Sequence, residues 1–299
     1  MKKNKPLWRI SVTTSLEAED AVTEMLGGLL DAAAAGYFNL ETGVSMVSVF
    51  RDEKPDGRKI TAEITAGLKN IAACGLNIGA GKIEIDKVKR EDWAESWKRH
   101  FHPLEIGKTL LVKPSWSKKR PLKNQAVVIL DPGLSFGTGQ HPTTSFCLNE
   151  LVRGRKVGTP QSFLDIGTGS GILAIAAAKL GYQPVHAFDF DPESVRVARD
   201  NAKKNRVDTK LKLTRGDITK LPLKPARQYD LVCANLISNL LIAEKHRIVN
   251  RLKAGGTLVL AGILAVEFHE VERAFASLKL KLVAKSVENE WCSGAFCFI

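Results

Sequence analysis

The first ninety residues alternate between short strands and amphipathic helices. Residues 7–13 and 82–88 place apolar and polar side chains in turn, which is the period of a half-buried strand. Residues 15–26 and 56–75 show helical spacing, and Ser15 is the predicted N-cap of the first helix. Two more strands are predicted around a turn, at 31–40 and 43–50. The order βαββαβ is typical of a small ferredoxin-like α+β domain.

From residue 161 onward, apolar runs typical of buried strands alternate with helical segments. The predicted strands are, in chain order, "SFLDI", "PVHAFDFD", "KLKLTRGD", "YDLVCANLI", "GGTLVLAGIL", "KLKLVAKSV" and "WCSGAFCFI". Such alternation indicates an α/β fold with a mostly parallel sheet, here of seven strands, and helices on both faces. The last two strands are joined by a short turn, so one of them must run antiparallel.

An aromatic stripe separates these two regions. Trp93, Trp97 and Phe101 recur every four residues, which predicts a linker helix whose aromatic side chains pack on a domain face. The predicted organisation is a small substrate-recognition domain at 1–88, a linker helix at 89–104 and a larger α/β domain at 105–299.

The composition is that of an ordinary soluble protein, with 44% hydrophobic and 25% charged residues. No apolar run is long enough to span a membrane, and the basic N-terminus lacks the apolar segment of a signal peptide. We therefore expect a cytoplasmic protein with no membrane partner. The five cysteines are scattered without C-x-x-C spacing, which favours reduced thiols, and "HFH" at 100–102 lacks partners at zinc spacing. No metal site is expected.

The chain carries an excess of positive charge. Lys and Arg total 44 against 32 Asp and Glu, which gives a net charge of +12. Part of the excess lies in runs at residues 2–5, 87–90 and 117–123. This balance favours an acidic partner such as nucleic acid or a ribosome, although solubility alone would also account for it.

Two glycine clusters follow one another closely, "LDPGLSFGTGQHPTT" at 130–144 and "LDIGTGSGIL" at 164–173. In the second, Gly167, Gly169 and Gly171 alternate directly after Asp165, which ends a predicted strand. The spacing differs from the G-x-G-x-x-G dinucleotide fingerprint and from a Walker loop. Glycines there allow an adenosine-bearing ligand to lie close to the backbone, and the following helix N-terminus favours a carboxylate. The second cluster is the predicted cofactor loop.

Acidic and amide side chains end the next strands. Asp189 lies 22 residues after Gly167, where the ribose-binding acid of such units is found. Asp217 follows the third strand and is placed to meet an adenine amino group, and Asn235 ends the fourth. The carboxyl ends of parallel strands line one crevice, so these residues are expected to meet. Asp191 precedes a proline and is better interpreted as a helix N-cap. The alternative is that the glycines are turn residues and the acids are caps.

These motifs resemble those of class I methyltransferases that use S-adenosylmethionine. "DIGTGSG" is similar to their first motif, "RGDI" to the third and "ANLI" to the fourth. Upstream, "EDWAESWKRHFHPLEIGKTLLVKPSW" and "LDPGLSFGTGQHPTT" closely resemble the PrmA family of bacterial ribosomal protein methyltransferases. The resemblance is specific from about residue 91 to 264. It is architectural in the small domain, and it weakens at the apolar C-terminal "WCSGAFCFI".

The resemblance implies a Rossmann-like methyltransferase domain that methylates lysine side chains, the N-terminal amine, or both, of ribosomal protein L11. It implies S-adenosyl-L-methionine as cofactor, with Asn235 also positioning the amine. The implied cofactor-binding residues, including those of the motifs above, are Thr144, Gly167, Asp189, Asn235, Asp165, Gly169, Phe136 and Asp217. The enzyme is expected to be a monomer, with rRNA contact through its basic surface. His141 precedes the helix that begins at Pro142, and it is interpreted as a cap or local packing residue.

Three alternatives stay open from the sequence. Lysine methyltransferases of electron-transfer flavoprotein share the same core but lack this small N-terminal domain. An RNA methyltransferase fits the positive charge, yet related RNA enzymes carry N-P-P-Y where this chain has Leu236 and Ile237 after Asn235. A non-catalytic binding module is the third. No dedicated catalytic base is expected, because the cofactor is already activated and positioning can supply much of the rate enhancement.

Overall fold

The computed structural model describes residues 7–32, 34–39, 43–88, 103–131 and 141–299. The chain divides into two compact units, residues 1–100 and 101–299. Of the predicted linker helix at 89–104, residues 89–102 lie outside the described residues. Leu104, its last predicted residue, belongs to a strand instead.

The first unit is a four-stranded antiparallel sheet with two helices. Its elements are β1 (Leu7–Thr14), α1 (Glu19–Leu30), β2 (Ala34–Asn39), β3 (Val44–Arg51), α2 (Gly57–Ala73) and β4 (Lys82–Val88). The strand order is β2-β3-β1-β4, which is the ferredoxin-like arrangement that the element order predicts. Alternate residues of β1 and β3, such as Ile10, Val12, Val47 and Val49, are fully buried with apolar residues of α1 and α2. The strands and both helices of this unit therefore share one buried core.

The start of α1 differs from the prediction. Ser15 does not cap the helix, which begins at Glu19. The Ser15 hydroxyl instead accepts a hydrogen bond from Ala18 N (3.3 Å) and donates one to the Asn77 carbonyl. A Ser side chain can stabilise a turn as readily as a helix end, and here it joins the turn before α1 to the segment before β4.

The second unit is an α/β domain built on a seven-stranded sheet. The elements before this sheet are β5 (Leu104–Ile106), β6 (Leu110–Lys113), β7 (Ala126–Ile129) and α3 (Pro142–Gly154). Its first half contains β8 (Phe163–Ile166), α4 (Ile172–Lys179), β9 (Val185–Asp189), α5 (Pro192–Lys204) and β10 (Leu211–Arg215), followed by a 3₁₀ turn (Ile218–Lys220). Its second half contains β11 (Tyr229–Asn235), α6 (Ser238–Ala243), α7 (Lys245–Val249), β12 (Leu252–Leu264), α8 (Phe268–Ala276), β13 (Leu280–Glu288) and β14 (Trp291–Phe298).

The strand order of the large sheet is β10-β9-β8-β11-β12-β14-β13. β14 pairs antiparallel with both β12 and β13, while the ladders from β10 to β12 are parallel. The chain order reverses between β8 and β11, and ligands of open α/β sheets bind at the carboxyl ends of the strands beside such a reversal. Two apolar cores cover the two faces. α3 and α4 contribute to one and α6, α7 and α8 to the other.

One predicted helix is divided in two. The segment 238–253 forms α6 and α7, which meet at Glu244, and its last residues already belong to β12. β5, β6 and β7 form a separate three-stranded sheet, with β6 and β7 parallel. Within the described ranges, the helices are all too short or too polar to cross a membrane.

Candidate active site

The turn between β8 and α4 exposes backbone at the carboxyl edge of the sheet. Gly167, Gly169 and Gly171 all have positive φ, at 75°, 52° and 82°. A Cβ on Gly167 would lie 2.6 Å from Leu236 Cδ2, so a side chain there would displace the Leu236 side chain. A Cβ on Gly171 would lie 3.0 Å from Ala198 Cβ, where α4 begins against α5. The turn therefore needs glycine both for its dihedral angles and for its close contacts.

Asp189 holds this turn at the end of β9. Its Oδ2 accepts a hydrogen bond from Gly169 N (2.9 Å), and its Oδ1 accepts one from Asp191 N (3.1 Å). Only 7% of the residue is exposed. The predicted ribose-binding acid is thus fixed beside the glycine turn, and each carboxylate oxygen keeps a further lone pair for a ligand hydroxyl. Asp191 itself caps α5 through Glu193 N and Ser194 N (both 3.0 Å), as predicted.

Asp165 lies beneath the same turn and is almost fully buried. Its Oδ2 accepts a hydrogen bond from the Thr168 hydroxyl at 2.7 Å. Its Oδ1 has no hydrogen-bond partner among the described residues. Burial, opposed by the Thr168 hydrogen bond and a bond from the Ala174 backbone and assisted by the nearby Asp189 carboxylate, raises the pKa of Asp165 to about 7. A cationic ligand in the crevice would stabilise the ionised form of this carboxyl.

The N-terminus of α3 supplies the other predicted contacts. His141 is the N-cap, and its Nδ1 contacts Thr143 N (3.4 Å) and Thr143 Oγ1 (2.7 Å). Its ring lies edge-on to Trp291 with centroids 4.9 Å apart. Burial lowers the pKa of His141, while Glu288 and Glu290 oppose that shift. Thr144 is 1% exposed, and its Oγ1 has no partner in the described part of the chain.

Asn235 ends β11 at the same edge of the sheet. Its Oδ1 lies 2.8 Å from the position that a Cβ on Gly262 would occupy, and the Leu236 carbonyl oxygen lies equally close to that position. Leu236 N donates to the Ala261 carbonyl at 3.0 Å, which ties this loop to β12. Gly262 has a φ of 80° and lies at an irregularity in the β12–β14 ladder. The Asn235 amide and the Leu236 carbonyl therefore pack closely against Gly262, while the Leu236 side chain packs against Gly167.

Two of these residues were not predicted from the sequence. Gly262 was assigned to an ordinary strand, although a glycine within an apolar strand is a known signal for a bulge or a close backbone approach. Trp291 was placed in the last strand without a role, and no spacing linked it to His141. The contact between them arises because α3 packs against β14 in the folded domain.

Asp217 follows Gly216, whose backbone N–H donates to the Asp189 carbonyl at 2.9 Å, but its carboxylate is used locally. It caps the 3₁₀ turn, where its Oδ1 accepts hydrogen bonds from Thr219 N (3.0 Å) and Thr219 Oγ1 (2.7 Å). These bonds lower the pKa of the carboxyl, and Lys220 Nζ lies 3.5 Å from its Oδ2. Its contact with an adenine stays a prediction. Phe136 and the glycines of the first cluster lie outside the described residues.

The site suits an elongated ligand with a hydroxylated end and a charged end. Asp189 and the glycine turn form one end, while Thr144 Oγ1 and Asp165 Oδ1 are buried polar atoms that no described residue satisfies. Buried polar atoms are normally hydrogen-bonded, so their isolation is consistent with a ligand that supplies the partners. S-adenosylmethionine carries ribose hydroxyls, a carboxylate and cationic groups, and these residues fit it. Across the described ranges, no group of three His, Cys, Asp or Glu side chains is arranged to hold a metal ion.

Comparison with known proteins agrees with this geometry. A family model described as "Ribosomal protein L11 methyltransferase (PrmA)" matches residues 6–296. The chain is 40% identical over 232 residues to a ribosomal protein L11 methyltransferase of Chloroflexus aurantiacus, covering 71% of this chain and 70% of the relative. It is 34% identical over 302 residues to that of Caldicellulosiruptor saccharolyticus, covering 95% of this chain and 97% of the relative.

A solved structure supports the same relationship. The crystal structure of a ribosomal protein L11 methylase from Lactobacillus delbrueckii subsp. bulgaricus superposes with a TM-score of 0.59 at 30% identity. The match covers 66% of this chain and 99% of that one. Since the family model extends over nearly the whole sequence, this chain belongs to the ribosomal protein L11 methyltransferase (PrmA) family.

Proposed function

We propose that the protein transfers methyl groups from S-adenosyl-L-methionine to lysine side chains, the N-terminal amine, or both, of ribosomal protein L11. The observation that carries this proposal is the placement of the Asn235–Leu236 loop. The Leu236 side chain packs against Gly167 of the cofactor turn, and Asn235 Oδ1 and the Leu236 carbonyl oxygen pack against Gly262 of β12, so this amide and this carbonyl lie at the same edge of the sheet as the turn. Both are acceptors for the N–H groups of an amine.

Each end of the cofactor has its own set of residues. Asp189 accepts hydrogen bonds from the ribose hydroxyls, and Gly167 and Gly169 allow the nucleoside to approach the backbone. Thr144 and Asp165 hold the methionine end, where the Thr144 hydroxyl meets the carboxylate and Asp165 faces positive charge. When bound, the cofactor supplies a methyl group already activated on a sulfonium. Phe136, Asp217 and Asn235 complete the proposed set.

The substrate amine must be neutral in order to attack. A lysine with a pKa of about 10.4 is neutral in roughly 1 part in 2,500 at pH 7, which corresponds to about 4.6 kcal/mol. An apolar surrounding lowers that pKa, and the positive cofactor lowers it further. Leu236 and Ile237 follow Asn235 and provide apolar surface, with Ile237 67% exposed at the rim. Desolvation and positioning therefore take the place of a dedicated base, and the Asn235 amide orients the amine.

The first unit is proposed to recognise the substrate protein, within the domain boundaries 1–88, 89–104 and 105–299. It has its own buried core and contributes none of the site residues described above. The enzyme is proposed to act as a cytoplasmic monomer without a membrane partner. Contact with ribosomal RNA through a basic surface is part of the proposal.

The test is transfer of a radiolabelled methyl group. The full-length protein is incubated with labelled S-adenosylmethionine and either purified ribosomal protein L11 or ribosomes, and protein and RNA are then separated. Label is expected in L11, at amines that mass spectrometry can identify. Label confined to RNA would contradict the proposal and favour an RNA methyltransferase. Label in purified electron-transfer flavoprotein, with none in L11, would favour the other lysine methyltransferase family.

A further inference from the structure

A second cavity lies at the opposite edge of the large sheet. Its volume is about 490 Å³. The lining comes from the end of α4, the turn before β9 and the start of β10, with Ala178, Gly181, Tyr182, Gln183, Pro184, Val185, His186, Thr209, Lys210, Leu211 and Lys212. Val185 begins β9 and Asp189 ends it, so this cavity and the ribose-binding carboxylate are separated by about 13 Å along the strand. A ligand there would leave the methyl-transfer site open.

Positive charge is concentrated around this cavity. Lys210 and Lys212 are exposed in its wall, and Lys212 pairs with His186 across the β9–β10 ladder. Lys179 lies at the end of α4, and its pKa is lowered by burial and by the charges of Lys210 and Arg206. Burial also lowers the pKa of His186, as do Arg227 and Lys212. We call Lys179, Arg206, Lys210, Lys212 and Arg227, with this cavity, the basic cavity.

A minority of the described cations, such as Arg9, Arg153, Arg196 and Lys253, form an ion pair with a carboxylate. None of the basic cavity's five cations pairs with a carboxylate in the described part of the chain.

Two carboxylates near the basic cavity offset only part of its positive charge. Asp208 is exposed in the loop before β10 and makes no ion pair with a described residue. Asp230 is already bound to Lys253 Nζ (2.8 Å) and to Ser162 Oγ (2.6 Å). Clustered like charges repel each other, so such a surface is expected where an anionic partner binds.

We infer that the basic cavity binds the phosphate backbone of RNA. That this RNA is ribosomal rests on the proposed function, since L11 is a ribosomal protein. Lys210 ends the turn before β10 and Lys212 lies within β10, so these two exposed lysines, two positions apart, can meet neighbouring phosphates of one strand. The aromatic residues nearest the cavity, Tyr182 and Tyr229, are both buried, and Tyr229 Oη is bonded to His186 Nδ1 at 2.6 Å.

The buried aromatics also decide the kind of partner. Tyr182 is buried, and the His186 ring is half-buried and bonded to Tyr229, so the lining presents little aromatic surface for base stacking and recognition depends mainly on phosphates. A protein partner would require an exposed apolar or aromatic anchor at the centre of its interface. The lining offers lysines and backbone there, which favours a polyanion.

Salt-dependent binding of a labelled oligouridylate tests this inference with the full-length protein. The association constant for RNA falls as salt concentration rises. If Lys210 and Lys212 each neutralise one phosphate, Lys210→Ala/Lys212→Ala makes the slope of log K against log salt less steep by about 1.4. At about 0.1 M salt this corresponds to roughly a 25-fold weaker association constant. The matched control is Lys118→Ala/Lys123→Ala, which removes the same charge from two exposed lysines of the run at 117–123. The control is expected to change binding much less.

The outcomes separate this inference from the proposed function. An equal loss in both double variants would show a general effect of net charge and would overturn the inference, as would an unchanged slope in Lys210→Ala/Lys212→Ala. Tighter binding of a polyglutamate peptide than of RNA at the same salt would also overturn it. Methylation of free L11 is measured in parallel and should be unchanged in both variants. Absence of methylation even in the unmodified protein would defeat the proposed function without affecting the RNA result.

Discussion

Gly262→Ala is expected to disturb methyl transfer from a position two strands away from the cofactor turn. The new Cβ would lie 2.8 Å from both Asn235 Oδ1 and the Leu236 carbonyl oxygen, and 3.1 Å from the Leu236 carbonyl carbon. Two of these three atoms belong to the backbone, so a rotamer change alone does not relieve the clash. The Asn235–Leu236 loop has to move away from β12.

The magnitude has two parts. A non-glycine residue at the positive φ of Gly262 costs about 1–2 kcal/mol, and overpacking costs about 1–3 kcal/mol more. The sum of about 2–5 kcal/mol is within the 5–15 kcal/mol stability of a typical domain, so the variant should fold. A displacement of about 1 Å in a group that positions the amine lowers kcat by as much as about 100-fold.

Gly255→Ala is the matched control. Gly255 lies in the same strand with a φ of 75°, and a Cβ there would meet nothing within 4 Å. Gly255→Ala should therefore lose only the stability that a non-glycine residue costs at a positive φ, and its kcat should be normal. Urea unfolding measures stability, and initial rates of label transfer to L11 measure kcat. If both variants lose the same stability and keep the same kcat, the reasoning about the loop is refuted.

Four further changes test other parts of the site. Asp189→Ala removes the acceptor for Gly169 N and Asp191 N and should weaken cofactor binding by about 1.5–3 kcal/mol; unchanged affinity by calorimetry would show that the ribose is misplaced. Ser238→Ala removes a hydrogen bond to Glu267 beside the Asn235 loop and should lower kcat while cofactor affinity holds, whereas Glu267→Gln keeps an acceptor and should retain most of the rate. Asp165→Asn should remove a pH dependence of the free energy of unfolding. The pKa of Asp165, about 7 when folded, exceeds its unfolded value, so the native state binds more protons and loses about 4 kcal/mol of stability as pH rises from about 4 to 7. Parallel unfolding profiles of the variant and the parent protein would contradict this. Deleting residues 1–88 should spare cofactor binding but abolish L11 methylation, and full activity on L11 would refute the role of the first unit.

Local patterns were sufficient to predict much of the fold. Residue patterns predicted β1 and β3 as strands, and the glycine cluster after Asp165 predicted the tight turn between β8 and α4. Asp189 and Asn235 were placed correctly because both end parallel strands, whose carboxyl ends share one edge of the sheet. The break at Glu244 was missed, since apolar spacing continues across it and two short helices have the same period as one long helix.

The rest depended on contacts between distant segments. Glycine is required at position 262 because a Cβ there would clash with the Leu236 carbonyl. That contact is with a distant segment, so the sequence around residue 262 does not predict it. The basic cavity was missed for the same reason. Its cations come from positions 179, 206, 210, 212 and 227, whereas the charge runs visible in the sequence were at 2–5, 87–90 and 117–123. Only the fold brings the first group together.

The raised pKa of Asp165 has a consequence for turnover. Because burial brings that pKa to about 7, the charge of the carboxyl depends on pH near neutrality. S-adenosylmethionine carries a sulfonium charge that S-adenosylhomocysteine, the spent product, has lost. Ionisation of Asp165 therefore favours the fresh cofactor over the product electrostatically, while protonation weakens that preference. Slightly alkaline conditions should relieve product inhibition, so that one buried carboxyl makes exchange of spent for fresh cofactor sensitive to pH.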